Sequence, residues 1–440
     1  MQILNYLRNL FFWTNDIIKS GRINLHFKEV NLILKEPASA TSLEIRQRNL
    51  INVLTHAINT TPFYKLYKNG KEITDFPIIR KTDIQNNFEQ FQSKLYKDKP
   101  NYKLTTSGST GIPFFLYQDD NKRNRNRADV IYFLKRCNFE VGNRLYHLAV
   151  WREYNQKGVL KSWLQNVVQF DISRFTDYRI NEFINLLKKD TNKIKTILGL
   201  ASSLEMIAHY VEKHEMKFDN LKLNSIIANS EYLSSYTKTT IGKYFNTEVL
   251  SRYSSEEIGI VAHQTIDSPN NFILNHASYH IEVLNLDNDK PVKSGELGRI
   301  VVTDLFNYAM PIIRYDTGDV AKLTILDNGN TEFEQIEGRK MDLIYDSQGN
   351  IISSYVIYAK FYKYYKLLKQ FQFIQQDKKD YEVKLNLQGD EFDFENELIE
   401  DIKNDFGKDA NVFITYVDEI PSLASGKRRI VVNNNVKNLV

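Results

Sequence analysis

The sequence contains almost no residues that could cross-link or ligate the chain. Cys137 is the single cysteine in 440 residues, so no disulfide can form within the chain. None of the eight histidines combines with it in the spacing of a structural zinc site. We therefore expect a fold that depends on its hydrophobic core, in a protein of the reducing cytoplasm.

Long uninterrupted apolar runs are missing as well. Residues 1–20 lack a basic leader, and Arg8 and Asn9 interrupt their apolar run, so we expect neither a signal peptide nor a transmembrane segment. We favour a terminal helix that docks its apolar side on the core, with contact to a membrane surface as the alternative. The apolar residues at helical spacing are Ile3, Leu4, Leu7, Leu10 and Phe11.

A strong charge of one sign is also absent. The chain has 58 basic and 54 acidic residues, a net charge of +4, and this balance argues against nucleic acid as a partner. Hydrophobic residues make up 42% and charged residues 25%, which is typical of a globular protein. At 440 residues, two domains are expected.

The order of sequence patterns predicts an α/β fold with a second, smaller unit. A helix is expected from Ser42 to Ile58, ending at Thr61-Pro62. Between residues 190 and 340 short apolar segments alternate with longer helical patterns. After the turn at residues 346–350, the pattern favours a compact α+β unit. With a boundary near Arg339, we predict a large multi-layer N-terminal α/β domain, 1–338, and a small C-terminal domain, 339–440.

The most distinctive segment is rich in glycine and hydroxyl side chains and reads TTSGSTGIP over residues 105–113. Glycines let the backbone approach a ligand, and hydroxyl and amide groups can surround phosphate oxygens. We interpret the segment as a triphosphate loop, with an ordinary turn as the alternative. No lysine follows the last glycine, so it is not a Walker loop. The candidate ligands are Thr106, Ser107, Gly108, Ser109, Thr110 and Gly111.

Two carboxylates further along the chain are candidate ligands for a metal ion and a sugar. Glu257 follows the aromatic Tyr253 by four residues, and a carboxylate suits Mg²⁺ while an aromatic face suits a purine. Asp319 follows the turn Thr317-Gly318, where it could accept hydrogen bonds from two ribose hydroxyls. Taken singly, the glutamate pair is more often a solvated surface, and the segment with Asp319 is more often a simple turn.

Two charged segments lie near the predicted boundary and near the C-terminus. Residues 338–342, GRKMD, place a charged pair at the boundary, where a plain surface hinge is the alternative. Residues 421–429, PSLASGKRR, put Lys427 on a glycine turn, and an exposed basic tail is the alternative.

The order and spacing of these five segments resemble the adenylate-forming superfamily, which includes acyl-CoA synthetases, peptide-synthetase adenylation domains and luciferases. Within it the chain is most similar to the phenylacetate-CoA ligase and CapK capsule-biosynthesis branch. Residues 56–64, 76–83 and 310–319 carry that closer resemblance, which extends roughly from residue 45 to 430.

The resemblance implies a role for each nucleotide-site candidate. The loop from Thr106 to Gly111 would hold the β- and γ-phosphates of ATP, and Glu257 would ligate Mg²⁺. Tyr253 would flank the adenine on one side. The Asn229-Ser230-Glu231 segment would flank the adenine on its other side. Asp319 would bind the ribose. Ser254 and Glu256 stand where the family pattern has Gly and Thr, so Ser254 belongs to the nucleotide site and Glu256 adds a charge near the phosphates.

The resemblance also implies a mobile C-terminal domain. Lys427 would stabilise charge at the α-phosphate, and Arg339 would add to the ribose contact. Asp342 would lie at the hinge about which the small domain turns between two half-reactions.

The acyl pocket is expected in the region that faces the carboxylate substrate in relatives, with Tyr146, His147, Trp151 and Ser202 as its candidates. His147 could orient the carboxylate, and a buried structural histidine is the equal alternative. The basic run of residues 122–127 is interpreted as a solvated helix face, with attraction of an anionic acceptor as the alternative.

The expected function is ATP-dependent activation of a carboxylic acid to an acyl-adenylate, followed by acyl transfer. The acceptor is either CoA or another thiol, or an amine such as an amino sugar of a surface polysaccharide. A catalytically inactive scaffold that kept the fold is the alternative from another class, and the presence of Glu257, Asp319, Arg339 and Lys427 argues against it.

Overall fold

The structure is a computed structural model of the chain. It describes residues 2–70, 72–106, 114–151, 156–218, 221–339, 343–352, 356–357, 360–361, 363–421 and 428–435. The chain divides into two compact units, each assembled from separate segments. The first unit comprises Met1–Arg144, Trp163–Asn166 and Leu250–Ile336. The second comprises Leu145–Ser162, Val167–Val249 and Glu337–Val440.

The helices are α1 Gln2–Ile18, α2 Arg22–Lys35, α3 Ala40–Thr60, α4 Lys81–Asn86, α5 Phe88–Phe91, α6 Asp120–Lys135, α7 Val159–Gln165, α8 Asp177–Lys189, α9 Ala201–Lys213, α10 Ser235–Phe245 and α11 Glu395–Phe406. Short 3₁₀ turns occupy Phe63–Tyr67, Ile73–Asp75 and Tyr365–Leu367. The expected helix near Ser42 is confirmed as α3. It begins after Ser39, whose hydroxyl accepts a hydrogen bond from the Ser42 amide at 3.3 Å.

The strands are β1 Tyr102–Thr106, β2 Phe114–Gln118, β3 Arg144–Ala149, β4 Val167–Asp171, β5 Lys195–Leu200, β6 Ser225–Asn229, β7 Val249–Ser255, β8 Gly259–Thr265, β9 Ser268–Leu274, β10 Tyr279–Leu284, β11 Leu297–Asp304, β12 Tyr315–Ile325, β13 Thr331–Arg339, β14 Ile344–Tyr345, β15 Ile351–Ile352, β16 Leu368–Gln375, β17 Asp380–Leu387, β18 Asn411–Tyr416 and β19 Val431–Asn433. Together with the helices they confirm the predicted α/β class.

The first unit is built on strands in the order β10-β11-β12-β13-β9-β8-β7, with antiparallel pairs such as β10-β11 and β7-β8. β1 and β2 form a separate antiparallel hairpin. The second unit has strands in the order β6-β5-β3-β4, in which β5-β6 and β3-β4 are parallel. It also contains a four-stranded sheet in the order β18-β17-β16-β19.

The four-stranded sheet and α11 form the α+β arrangement expected after the turn at residues 346–350. Phe373, Tyr381 and Phe406 pack their rings together at its core. Glu337–Val440 falls in the same compact unit as Val167–Val249. The division at residue 339 remains a prediction about movement between half-reactions.

The apolar side of α1 does not dock on the core, so the favoured interpretation of that stripe was wrong. The buried side chains of α1 are the polar Asn5 and Asp16. Ile3 is 77% exposed and Phe11 is 58% exposed. Among the described residues, no helix combines the length and apolar character needed to cross a bilayer.

The basic run of residues 122–127 is not uniformly solvated, which corrects a second interpretation. Lys122 and Arg125 are fully buried, one helical turn apart on α6. The Lys122 ammonium lies 2.7 Å from the Asp304 carboxylate and donates to the Tyr279 hydroxyl at 3.0 Å. Residues 122–127 contain only Lys, Arg and Asn, so the sequence shows no apolar face here. Buried cations are rare unless they are paired, and a sequence pattern does not reveal a partner distant in the chain.

Replacing Lys122 with methionine tests the buried ion pair. Lys122→Met leaves the Asp304 carboxylate buried without its counter-ion, so the free energy of unfolding should fall by about 3–5 kcal/mol. The double variant Lys122→Met/Asp304→Asn should recover part of that loss. Chemical denaturation measures both, with Lys68→Met on an exposed lysine as the matched control. Equal loss in the double and the single variant would contradict a charge effect.

Candidate functional site

The predicted phosphate loop connects the two strands of a hairpin. Thr106 at the end of β1 pairs with Phe114 at the start of β2. Phe114 and Leu116 are buried in the hydrophobic core of the first unit and anchor the second strand. The side chain of Thr106 and residues 107–113, with Ser107, Gly108, Ser109, Thr110 and Gly111, lie outside the described part of the chain.

The structure brings together the predicted adenine and ribose residues. Tyr253 on β7 donates its hydroxyl to Asp319 Oδ2 on β12 at 2.7 Å. Thr317 Oγ1 lies 3.3 Å from the same hydroxyl and accepts from the Asp319 amide at 3.2 Å. Burial and the adjacent Asp319 carboxylate raise the pKa of Tyr253 well above its usual value, so the phenol stays a donor. An aromatic face and an oriented carboxylate therefore lie side by side.

The predicted metal ligand is next to this pair. Glu257 is partly buried, and the hydroxyl of Tyr315 lies 3.4 Å from its Oε1. Burial and Glu257 raise the pKa of Tyr315, so this phenol also stays protonated. Ser254 pairs with Ile260 where the β7-β8 register shifts, and Glu256 is exposed.

The donor chemistry of Glu257 fits a magnesium site completed by a substrate. Among the described residues no group of three or more His, Cys, Asp or Glu side chains could hold a metal ion by itself. Mg²⁺ in phosphate-transfer sites is commonly held by one or two carboxylates together with substrate phosphates and water. A single carboxylate such as Glu257 meets that requirement, and a resident all-protein metal centre is not required.

Two sequence segments that suggested the closer resemblance pair with each other. The Ile79 amide donates to the Arg314 carbonyl at 3.0 Å, and the Asp316 amide donates to the Ile79 carbonyl at 2.9 Å. Arg314 has a left-handed backbone with φ of 51°. Its guanidinium binds both carboxylate oxygens of Glu282, at 2.9 and 3.0 Å, and the Phe76 carbonyl at 3.0 Å. The two segments thus hold the start of β12, which carries Asp319.

Glu231, predicted to flank the adenine, has its carboxylate engaged inside the second unit. Oε2 accepts from the Ser202 amide at the start of α9, and Oε1 accepts from the Arg428 amide, both at 2.8 Å. Ser230 has a left-handed backbone with φ of 68°, which turns the chain between Asn229 and Glu231. The carboxylate caps a helix N-terminus, where negative charge is favoured. Sequence reasoning missed this bridging role.

Glu205 and Arg428 form a half-buried cluster that the sequence did not reveal. Both line a small cavity in the second unit, together with His209, Tyr365 and Phe371. Burial raises the pKa of the Glu205 carboxyl to about 7, while the Arg428 charge opposes the shift. Arg428 is the residue after Lys427. The basic run that contains it gave no sign that Glu205 lies beside it.

The acyl-site candidates are only partly brought together. Tyr146 is 1% exposed and donates its hydroxyl to Asp190 Oδ2 at 2.6 Å. Neighbouring strand residues point to opposite faces, so Tyr146 belongs to the core face and not to the face of His147. Contact between Tyr146 and a substrate stays a prediction. His147 and Trp151 do contact each other, with ring centroids 5.0 Å apart.

Three further predicted residues cannot be placed in the site. Lys427 and Asp342 lie outside the described residues. Arg339 ends β13, and its side chain is outside the description as well. Their roles remain predictions.

Comparison with known proteins gives consistent matches. Residues 344–434 match the CapK C-terminal domain. The chain is 24% identical to protein CapK of Staphylococcus aureus over 386 residues, covering 83% of this chain and 82% of the relative. It is 19% identical to phenylacetate-coenzyme A ligase of Pseudomonas putida over 314 residues, covering 68% and 71% of the two chains.

A solved structure of 2-hydroxyisobutyryl-CoA ligase, in the postadenylation state in complex with R3-HIB-AMP, has the same fold. The TM-score is 0.70 at 16% identity, and the match covers 90% of each chain. These matches make the chain similar to the adenylate-forming superfamily, and residues 344–434 carry the CapK C-terminal domain. Within that class, the similarity is to the branch that contains CapK and phenylacetate-CoA ligase.

Removing one hydroxyl tests the Tyr253–Asp319 pair. Tyr253→Phe keeps the aromatic face but removes the donor that orients the Asp319 carboxylate, a charged hydrogen bond of about 1.5–3 kcal/mol. ATP affinity, measured by calorimetry without acid substrate, should fall about tenfold or more. Tyr178→Phe, on a tyrosine that is 76% exposed, is the control. Unchanged affinity with a lower melting temperature would make the pair purely structural.

Proposed function

We propose that this protein is an AMP-forming ligase that activates a carboxylic acid as an acyl-adenylate and transfers the acyl group to an acceptor. The observation that carries the proposal is the contact between Tyr253 and Asp319, with Glu257 beside them. Tyr253 packs against the same hydrophobic cluster that holds Phe114 and Leu116 of the loop hairpin. Similarity to proteins of the adenylate-forming superfamily supports the assignment.

Each residue has a defined task in the first half-reaction. Tyr253 packs against the adenine, and the Asp319 carboxylate accepts hydrogen bonds from the ribose hydroxyls. The hydroxyl-rich loop from Thr106 to Gly111 surrounds the β- and γ-phosphates. Glu257 holds Mg²⁺, which supplies positive charge to offset the triphosphate. Lys427 stabilises negative charge at the α-phosphate as the substrate carboxylate attacks it and pyrophosphate leaves.

The second half-reaction transfers the acyl group from AMP to a nucleophile. The similarity to phenylacetate-coenzyme A ligase favours a thiol acceptor such as CoA. An amine acceptor, such as an amino sugar of a surface polysaccharide, is the second candidate, because the chain is also similar to CapK over 83% of its length. Arg339 and Asp342 belong to the segment about which the C-terminal domain turns between the two steps.

The experiment is an acid-dependent pyrophosphate exchange assay over a panel of carboxylic acids. Exchange that depends on one acid supports adenylation, and adding CoA or amino sugars in turn then identifies the acceptor by AMP release. ATP binding without exchange for any acid would favour the inactive scaffold. A Tyr253→Phe control should weaken exchange through ATP affinity only.

Lys427→Ala should separate the two half-reactions. A cation at the α-phosphate acts on charge that develops only in the adenylation transition state. Losing one such donor typically costs on the order of 10²–10³ in rate, so pyrophosphate exchange should nearly disappear. Acyl transfer from chemically supplied acyl-adenylate needs no attack on that phosphate and should persist.

Three readouts on the Lys427→Ala variant distinguish the explanations. A basic tail would leave exchange and transfer near the wild-type rate. A folding role would lower both rates together with the melting temperature. Equal loss in both half-reactions at an unchanged melting temperature would contradict the proposed role.

Glu257→Gln should weaken productive use of Mg-ATP. The loop carries no lysine of its own, so charge on the triphosphate depends on the metal that Glu257 would hold. The variant should need more magnesium for half-maximal exchange. Glu256→Gln, on the exposed neighbouring carboxylate, is the matched control. Superimposable magnesium titrations for Glu257→Gln and wild type would refute the assignment.

A further inference from the structure

Helix α1 presents its apolar side outward and its polar side to the protein. At 100° per residue, Ile3, Leu7 and Phe11 lie on the side opposite Asn5 and Asp16. Asn5 and Asp16 are buried, whereas these apolar side chains are exposed. The exposed apolar residues of the helix are Ile3, Leu4, Tyr6, Leu7, Leu10, Phe11, Ile17 and Ile18, which we call the α1 apolar face.

The inward side of α1 is fixed by hydrogen bonds, and the half-buried Trp13 ring packs against Phe27 of α2 at 5.8 Å. Asn166 Nδ2 donates to Asn5 Oδ1 at 3.1 Å and to the Gly142 carbonyl at 2.8 Å. Asn9 Nδ2 donates to the Val141 carbonyl at 3.0 Å. A Cβ at Gly142 would lie 2.3 Å from the Asn5 carbonyl oxygen, so the backbones approach closely. These contacts fix the rotation of α1 about its axis, so the apolar face points outward.

The charges around this face are basic. Residues 2–35 contain two acidic side chains, and both are engaged: Asp16 accepts from the Ile23 and Asn24 amides, and Glu29 pairs with Arg125. The exposed charged side chains of α2 and of the turn before it are Lys19, Arg22, Lys28 and Lys35. The exposed Glu36 that caps α2 lies beside Lys35 in the chain, which leaves Lys19, Arg22 and Lys28 as net positive charge. An apolar helix face with exposed cations nearby matches an anionic lipid surface.

We propose that the α1 apolar face binds the surface of a membrane that contains anionic lipid. The helix lies in the plane of the interface, with its apolar side chains among the acyl chains and the basic residues near the headgroups. This inference does not rest on the proposed ligase activity.

The test is co-flotation of the full chain with vesicles of phosphatidylcholine alone or of equal parts phosphatidylcholine and phosphatidylglycerol. The wild type should float with the anionic vesicles, and high salt should weaken the association. Leu7→Gln/Phe11→Gln should lower the partition on the order of 10²-fold, since each apolar side chain contributes about tenfold. Lys19→Gln/Arg22→Gln should reduce the preference for phosphatidylglycerol.

Leu66→Gln/Ile325→Gln is the matched control, because it removes two apolar side chains that are 80% and 51% exposed elsewhere on the first unit. It should float like the wild type, and circular dichroism should show unchanged helix content in every variant. The proposal is overturned if the wild type does not float. It is also overturned if Leu7→Gln/Phe11→Gln floats as well as Leu66→Gln/Ile325→Gln. A dimer in solution that Leu7→Gln/Phe11→Gln dissociates, without vesicle binding, would identify a protein interface instead.

Discussion

The buried cations of α6 are the constraint on which the first unit depends. Lys122 and Arg125 can be buried because acidic and carbonyl oxygens meet them: Asp304 lies 2.7 Å from Lys122, and the Ala277 carbonyl lies 2.6 Å from Arg125. Leaving either cation unpaired would cost several kcal/mol, so the ends of β10 and β11 must stay against α6. Glu29 brings α2 into the same arrangement through Arg125.

That constraint extends to the candidate nucleotide site along the chain. Asp119 caps α6 by accepting from the Lys122 amide at 2.8 Å, and it also accepts from the Tyr308 amide at 2.9 Å. The segment that begins at Tyr308 continues through Arg314 into β12, which contains Asp319. β2 ends one residue before Asp119, so the loop hairpin and the ribose-site strand start from the same fixed point. The strand that follows the predicted phosphate loop and the segment that leads to Asp319 are therefore both attached at Asp119.

The sequence predicted more of the site's composition than of its geometry. The Tyr253, Glu257 and Asp319 motifs were recognisable because each is a short run of residues whose composition and order along the chain match the family pattern. The direction of α1 was not predictable, because periodicity defines an apolar face without saying what covers it. The burial of Tyr146 was not predictable for a related reason: a buried parallel strand lacks the alternation that reveals which face a side chain joins. Partners distant in the chain, such as Asp304 for Lys122, leave no local pattern.

The Glu231 carboxylate joins two parts of the second unit that are far apart in the chain, the start of α9 and the amide of Arg428. A charged hydrogen bond of about 1.5–3 kcal/mol favours the joined arrangement by roughly ten- to a hundredfold. Such a bias keeps the arrangement with this hydrogen bond dominant. It is also small enough for the arrangement without the hydrogen bond to be populated by thermal motion alone. Residue 428 directly follows Lys427, so this contact, together with the hydrogen bond from Gln372 to the Arg429 carbonyl at 2.6 Å, fixes the described chain on the C-terminal side of the predicted lysine.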